Sequence, residues 1–245
     1  MVSAFGATEF PTSGGKDATQ TCTTMAEFVR DNHLDGIDLD WEDNGAMEAG
    51  TGEQWLIDCT IAIRNILPVG EYYLTHAPQA PYFIGSPRYP NGGYVKVHEE
   101  VGDLIDWYNT QFYNQGNSQY NSYQELFIES TGSFPETAVK NIIEDAGVPQ
   151  NKVVIGKPVG PGDATNTGLV DALSLGSWAN QARNEIGWDA GIMTWQFASD
   201  TYGNFVKSFK TNFNAGSPWF TNLFLIKIDS SLVGFLLILV FISGY

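Results

Sequence analysis

The chain has 245 residues, with 28 Asp and Glu against 12 Lys and Arg, for a net charge of −16. That length suits one large domain, and so acidic a chain lacks the basic footprint that nucleic-acid phosphates require. Charged residues are only 16% of the total and aromatics 13%, which suits a bulky apolar core or rings exposed in a cleft for stacking on sugars.

Val2 to Gly6 reads as a strand that opens into a Gly/Ser/Thr/Pro loop at Pro11 to Gly15. Asp17 to Asn32 carries Cys22, Met25, Phe28 and Val29 at helical spacing. Asp35 to Glu42 follows as a strand of strict alternation, with Ile37, Leu39 and Trp41 on one face and Asp38, Asp40 and Glu42 on the other. The clearest helix is Glu53 to Leu67, with Trp55, Leu56, Cys59, Ala62, Ile63, Ile66 and Leu67 on one face and Pro68 past its end.

Tyr72 to Ala77 is a further strand, followed by a loop rich in Pro, Gly and aromatics (Tyr82, Phe83, Tyr89, Tyr94). That loop suits either outer sugar subsites or packing. A short helix is predicted over about Val97 to Leu104, then a strand from Ile105 to Tyr113. Ser133 to Glu136 resembles a capping box opening a helix striped by Val139, Ile142, Ile143 and Ala146 and closed by Gly147. Val153 to Gly156 is a short buried strand, Leu169 to Ile186 a helix, Gly191 to Trp195 the last strand and Phe205 to Phe213 the last helix.

Strand–helix alternation of this kind implies parallel strands with helical crossovers. A doubly wound sheet is the default for that pattern, but no Gly-rich phosphate loop follows any strand. Polar residues at the C-terminal ends of several strands favour a (β/α) barrel.

The acidic strand carries the chemistry. Its same-face carboxylates are roughly 6.6 Å apart at the backbone, two residues at about 3.3 Å each. Like charges at that spacing, in a buried strand, push at least one carboxyl toward keeping its proton near neutral pH. An acid beside carboxylates that stay ionised is the pattern of an acid/base catalyst. Two other readings compete: a solvated strand edge, and a magnesium or calcium site built from clustered oxygen ligands. The histidines His33, His76 and His98 are scattered, and His76 reads as a packed residue. Cys22 and Cys59 fall on apolar faces of predicted helices and read as core thiols, with a disulfide between the two helices as the alternative.

The end of the chain differs from the rest. Leu232 to Tyr245 is nearly all apolar, but fourteen residues are short for a spanning helix, which needs about 20. Small residues upstream (Asn214 to Ser217, or Ser230 and Ser231) resemble a glycolipid-anchor signal; a plain membrane anchor and a misread gene end are the competitors. Residues 1–216 are accordingly expected to form the catalytic unit, and 217–245 a hydrophobic tail.

Asp35, Asp38, Asp40 and Glu42 together form Asp-x-x-Asp-x-Asp-x-Glu, which resembles the signature of the family 18 glycoside hydrolases, the chitinases and their relatives. Further segments resemble the plant-type and fungal branch. Ser3-Ala4-Phe5-Gly6 partly matches the third strand, Leu74 to Gln79 the fifth, Gln111-Phe112-Tyr113-Asn114 the sixth, Lys152 to Pro158 the seventh and Gly191 to Trp195 the eighth. The resemblance implies a (β/α)8 TIM barrel whose fourth strand is the acidic one. Counting back from it, the first two βα units are lacking, so the chain resembles an N-terminally truncated member with six units.

The family's chemistry, carried over by motif, implies retaining hydrolysis of β-1,4 bonds between N-acetylglucosamine units. The substrate's own acetamido oxygen acts as nucleophile, an exception to the two-carboxylate scheme. Glu42 is implied as general acid/base, Asp40 as orienter of the acetamido N–H, Asp38 as its proton-sharing neighbour and Tyr113 as donor to the acetamido oxygen. Trp195 is implied as the floor under the reacting sugar. Gln111, Asn114, Ala77, Gln79 and Gly6 are implied as cleft residues, and Asp35 and Gly36 as structural parts of the motif. No cofactor or metal is implied. The implied partner is chitin or N-acetylglucosamine oligosaccharide, the implied state a monomer, and the implied location extracellular or at the cell surface, with membrane or cell-wall attachment through the tail. The rival functions are an inactive chitin-binding relative, which usually lacks the terminal Glu, an endo-β-N-acetylglucosaminidase sharing the signature, and a membrane or wall structural protein suggested only by the tail.

Overall fold

A computed structural model describes residues 1–116 and 119–213; the apolar tail lies outside the described residues. Six strands run in chain order in one sheet, β1-β2-β3-β4-β5-β6. They are β1 (Val2–Phe5), β2 (Gly36–Asp40), β3 (Tyr73–His76), β4 (Trp107–Gln111), β5 (Val153–Pro158) and β6 (Ile192–Trp195). The registers described for β1–β2, β2–β3, β3–β4 and β5–β6 are all parallel. The helices are α1 (Ala18–Asp31), α2 (Asn44–Glu48), α3 (Gly52–Arg64), α4 (Gly93–Val101), α5 (Val139–Glu144), α6 (Ala172–Ile186) and α7 (Asn204–Phe213). This is the strand–helix alternation of the (β/α) barrel class, six strands long. By contacts the chain divides into two compact units, one of Met1–Tyr108 with Ala146–Val148, the other of Asn109–Asp145 with the described residues from Pro149 onward.

In the first unit, β2 is flanked by β1 and β3 and every one of its residues is buried. That removes the reading of a solvated strand edge. Gly36 starts the strand, where a Cβ would lie 2.1 Å from the Tyr73 carbonyl oxygen, so only glycine admits β3 at this spacing. α1 and α3 pack side by side, and here one expectation is corrected. Cys22 and Cys59, fully buried on the facing sides of the two helices, are not thiols but a disulfide, with Cα atoms 5.2 Å apart, well within bridging range.

The last turn of α3 is tied down by Arg64, whose side chain is almost buried. It donates to the carbonyls of Leu104 (2.7 Å), Leu67 (3.2 Å) and Tyr72 (2.8 Å) and pairs with Asp106 at 2.7 Å. Asp106 in turn accepts the Leu74 amide at 2.7 Å, which fixes the entries of β3 and β4. The aromatic loop after β3 is a packed cluster: Tyr82, Phe83, Tyr89 and Tyr94 are all buried, with Tyr82 stacked on Tyr94 and edge-on to Trp41.

In the second unit, α6 and α7 pack together, and Trp188 donates from Nε1 to the Val153 carbonyl at 2.8 Å. Among the described residues, no helix is long and apolar enough to cross a membrane.

Candidate active site

The acidic strand gathers its partners by register. Ser3 on β1 and Thr75 on β3 are both paired with Asp38. Their hydroxyls donate to its two carboxylate oxygens, Ser3 Oγ to Oδ2 at 2.8 Å and Thr75 Oγ1 to Oδ1 at 2.5 Å. Asp38 is 2% exposed, so these hydrogen bonds replace water that it has lost. Asp40 stands two residues farther along the same face, 5% exposed and in register with Phe5. Gly6 continues β1 past that point: its amide donates to the Asp40 carbonyl at 2.7 Å, and a Cβ on it would sit 3.7 Å from Asp40 Oδ2.

Glu42 lies beyond the C-terminal end of β2 and is half-buried. Both of its neighbours are anchored. Trp41 is fully buried and donates to Thr12 Oγ1 at 3.2 Å. Asp43, 1% exposed, accepts from the Ser13 amide (2.7 Å), the Ser13 hydroxyl (2.5 Å) and the Ala46 amide (3.2 Å), the last capping α2. Between those fixed points Glu42 remains half-buried. Gln79, after the end of β3, donates from Nε2 to Glu42 Oε2 at 3.1 Å. The first unit therefore brings together Gly6, Asp38, Asp40, Glu42 and Gln79. Ala77 is buried beside them, its amide on the Leu39 carbonyl at 2.9 Å. Asp35 sits apart, exposed at the opposite end of β2, where its carbonyl accepts the Tyr73 amide at 2.9 Å.

Behind the acids lies a neutral, packed layer. Thr60 Oγ1 donates its only proton to the Leu56 carbonyl at 2.7 Å, so at its 3.3 Å contact with His76 it accepts from Nε2–H. His76 Nδ1 then accepts from the Tyr94 hydroxyl at 3.2 Å. Complete burial, with the Arg64 charge second, lowers the His76 pKa to about 3, so the imidazole is neutral and serves packing. Tyr82 donates to Asn44 Oδ1 at 2.8 Å. Burial first, then Tyr89 and the carboxylates of Glu42, Asp43 and Asp40, push its phenol well above the usual range, so it remains a donor.

The second unit carries the other expected residues at strand ends. Gln111 closes β4, and Tyr113 and Asn114 follow it; Gln111 and Tyr113 are buried. Asn114 has φ of 59°, its amide on the Thr167 carbonyl at 3.0 Å, and its Oδ1 accepts the amides of Thr165 (2.8 Å) and Asn166 (3.4 Å). Trp195 ends β6, partly exposed and in register with Pro158, and its peptide to Gln196 is cis. Among the described residues, no group of three or more His, Cys, Asp or Glu side chains is placed to hold a metal ion.

The description "Glycosyl hydrolases family 18" matches residues 6–226 of the chain, which include the whole acidic strand. The chain belongs to glycosyl hydrolase family 18. Endochitinase 3 of Metarhizium robertsii is 32% identical over 185 residues, covering 74% of this chain and 50% of that protein. Chitinase 1 of Aphanocladium album is 26% identical over 189 residues, covering 71% of this chain and 43% of that protein. The chain thus spans half or less of the length of these curated relatives. Among solved structures, a family 18 chitinase from Pseudoalteromonas aurantia superposes with a TM-score of 0.72 at 30% identity, covering 86% of this chain and 73% of that one.

The matched residues include the acidic strand, set in the strand–helix alternation that the resemblance implied. Several residues escaped the sequence reading. Ser3 and Thr75 are legible only through register, as polar residues placed opposite an acid in otherwise apolar strands. Asp43 follows the signature directly and could have been noticed as a cap.

Proposed function

We propose that this family 18 chain hydrolyses β-1,4 bonds between N-acetylglucosamine units of chitin, with retention of configuration and with Glu42 as general acid and then general base. The observation that supports this best is the placement of Glu42. The residue is half-buried just beyond the end of β2, while both flanking side chains are tied down and Asp38 and Asp40 precede it on the same face of the strand.

In the first step the acetamido carbonyl oxygen of the substrate forms a bond to C1. The glycosidic C1–O bond breaks, and the leaving oxygen takes the Glu42 proton. The resulting oxazolinium is positive, and Asp40 balances it while accepting from the acetamido N–H. Asp38 supports Asp40 from below, held in place by Ser3 and Thr75. In the second step water adds to C1 and gives its proton to Glu42, the oxazolinium ring opens, and the acid form is regenerated. Gln79 donates to one Glu42 oxygen and so restrains the carboxylate that transfers the proton. By family resemblance Tyr113 donates to the acetamido oxygen, Trp195 floors the reacting sugar, and Gln111, Asn114, Gly6 and Ala77 line the cleft. The Cys22–Cys59 disulfide supports an extracellular setting, since such bonds persist in oxidising compartments.

The test is cleavage of chito-oligosaccharides by the purified chain beside Glu42→Gln. The variant should bind oligosaccharide with affinity within about threefold of the parent and lose at least about a hundredfold in kcat, because only the transferable proton is removed. Comparable turnover in the two proteins would remove Glu42 from the mechanism.

A further inference from the structure

Lys157 is a buried ionisable group that the proposed chemistry leaves unused. It lies in β5, fully enclosed, and burial holds its amine well below the ordinary lysine range. Among the described residues no carboxylate pairs with it. Its Nζ donates instead to two backbone carbonyls, Phe112 at 2.9 Å and Tyr120 at 2.8 Å, and lies 5.9 Å from the centre of the Tyr120 ring. An unpaired buried amine is a poor way to stabilise a core, where an apolar side chain of similar length does better. What it supplies is a hold on backbone, and two N–H bonds suffice for that hold even when the amine is neutral.

The backbone it holds is the residue before Tyr113. The Phe112 amide donates to the Gly156 carbonyl at 3.2 Å, and its own carbonyl accepts from Lys157. Consecutive β5 residues therefore grip both polar groups of Phe112. On the far side of Tyr113, the Asn114 amide is on the Thr167 carbonyl at 3.0 Å and its side chain caps Thr165. Gly168 closes the remaining space: a Cβ there would lie 2.5 Å from both Cα and Cβ of Tyr113. Tyr113 is thereby pinned from both neighbours and from one flank, with Lys157 the only side-chain donor to the Phe112 carbonyl among the bonds described.

We propose that Lys157 is a positioning residue for Tyr113, fixing through the Phe112 carbonyl the backbone from which the tyrosine hydroxyl meets the substrate's acetamido group. It rests on the substrate contact proposed above for Tyr113, so its test needs a readout independent of turnover. Difluorotyrosine placed at position 113 of the full chain is read by fluorine NMR with Lys157 present and in Lys157→Met. The single narrow resonance of the parent should shift or split in the variant; an unchanged line overturns the proposal whatever the activity. In parallel, Lys157→Met should lower kcat on chito-oligosaccharides by about tenfold to a hundredfold, as small misplacements of a reacting group do, with KM moved less than about threefold. In a Tyr113→Phe background the same substitution should cost less than about a further twofold, since the two act as one unit. Fully additive losses would make Lys157 merely structural. If Tyr113→Phe leaves kcat unchanged while the fluorine line still moves in Lys157→Met, the substrate role of Tyr113 fails and the hold on its backbone stands. Lys157→Leu, which also removes the donors, carries the same measurements should the methionine variant not fold, and Lys157→Gln, whose amide keeps two N–H donors, should stay closer to the parent in both readouts.

Discussion

Asp38 takes a hydroxyl on each oxygen from strands on either side, so it is fixed before any substrate arrives. Thr75→Val keeps the shape and removes one donor from a buried carboxylate. It should cost about 1–3 kcal/mol of stability, read by denaturant unfolding, and about tenfold in kcat, because catalysis draws on donors fixed in advance. His76 makes a separate prediction. Its folded pKa is depressed to about 3 from an ordinary value near 6.5, so the unfolded chain takes up the proton first as pH falls. The stability that His76 contributes is therefore complete above about pH 6.5 and is lost at about 1.4 kcal/mol per pH unit between pH 6.5 and 3. His76→Gln, which can donate to Thr60 and accept from Tyr94, should flatten that part of the pH–stability curve by about one proton. At this scale the acids were legible because their residue types and spacing are the chemistry itself. Their restraints were not, since Ser3, Thr75 and Asp43 matter only once register and folding bring them to the acids.

Elements with long, strong periodicity were legible for the same reason that they are stable. α1, α3, α6 and α7 bury a continuous stripe, and period alone reveals a stripe. Short pieces fixed by tertiary bonds were not. α2 is only five residues long and hangs on the Asp43 cap. α4 begins at Gly93, four residues before the expected start, because buried Glu53 on α3 accepts the Gly93 amide at 3.0 Å. The expected capping box at Ser133 to Glu136 does not form: Glu136 has φ of 60°, and Ser130 Oγ accepts the Thr137 amide at 2.7 Å, so α5 waits until Val139. Arg64 shows what such a tertiary bond is worth. Arg64→Met leaves Asp106 without its cation and three carbonyls without a donor, and should destabilise the fold by about 3–5 kcal/mol in chemical denaturation.

For the molecule as a whole, the net charge of −16 bears on solution behaviour rather than on recognition, because the proposed substrate is uncharged. KM for chito-oligosaccharides should change by less than about twofold between low and high salt, since screening acts on charged partners. A steep salt dependence would point to a charged substrate instead. The strand order follows the chain from β1 to β6, which is why alternation in the sequence, read with the polar residues at the strand ends, pointed to the fold class. The cysteines were the exception. Two apolar helix faces accommodate paired thiols or a disulfide equally well in a sequence, and only the 5.2 Å approach of the two Cα atoms separates them.

That disulfide encloses β2 and α2 within a covalent ring, since Cys22 and Cys59 stand 37 residues apart on either side of them. Closing a ring of this size contributes about 4 kcal/mol by limiting the unfolded chain. It also changes what limited proteolysis can do. One cut inside the ring, for instance at the exposed pair Glu48 and Ala49, leaves the fragment carrying Glu42 joined through Cys22 to the remainder of the chain at Cys59. Such a nicked protein should run as one band without reductant and two with it. It should stay folded around its acidic strand until the sulfur–sulfur bond is opened.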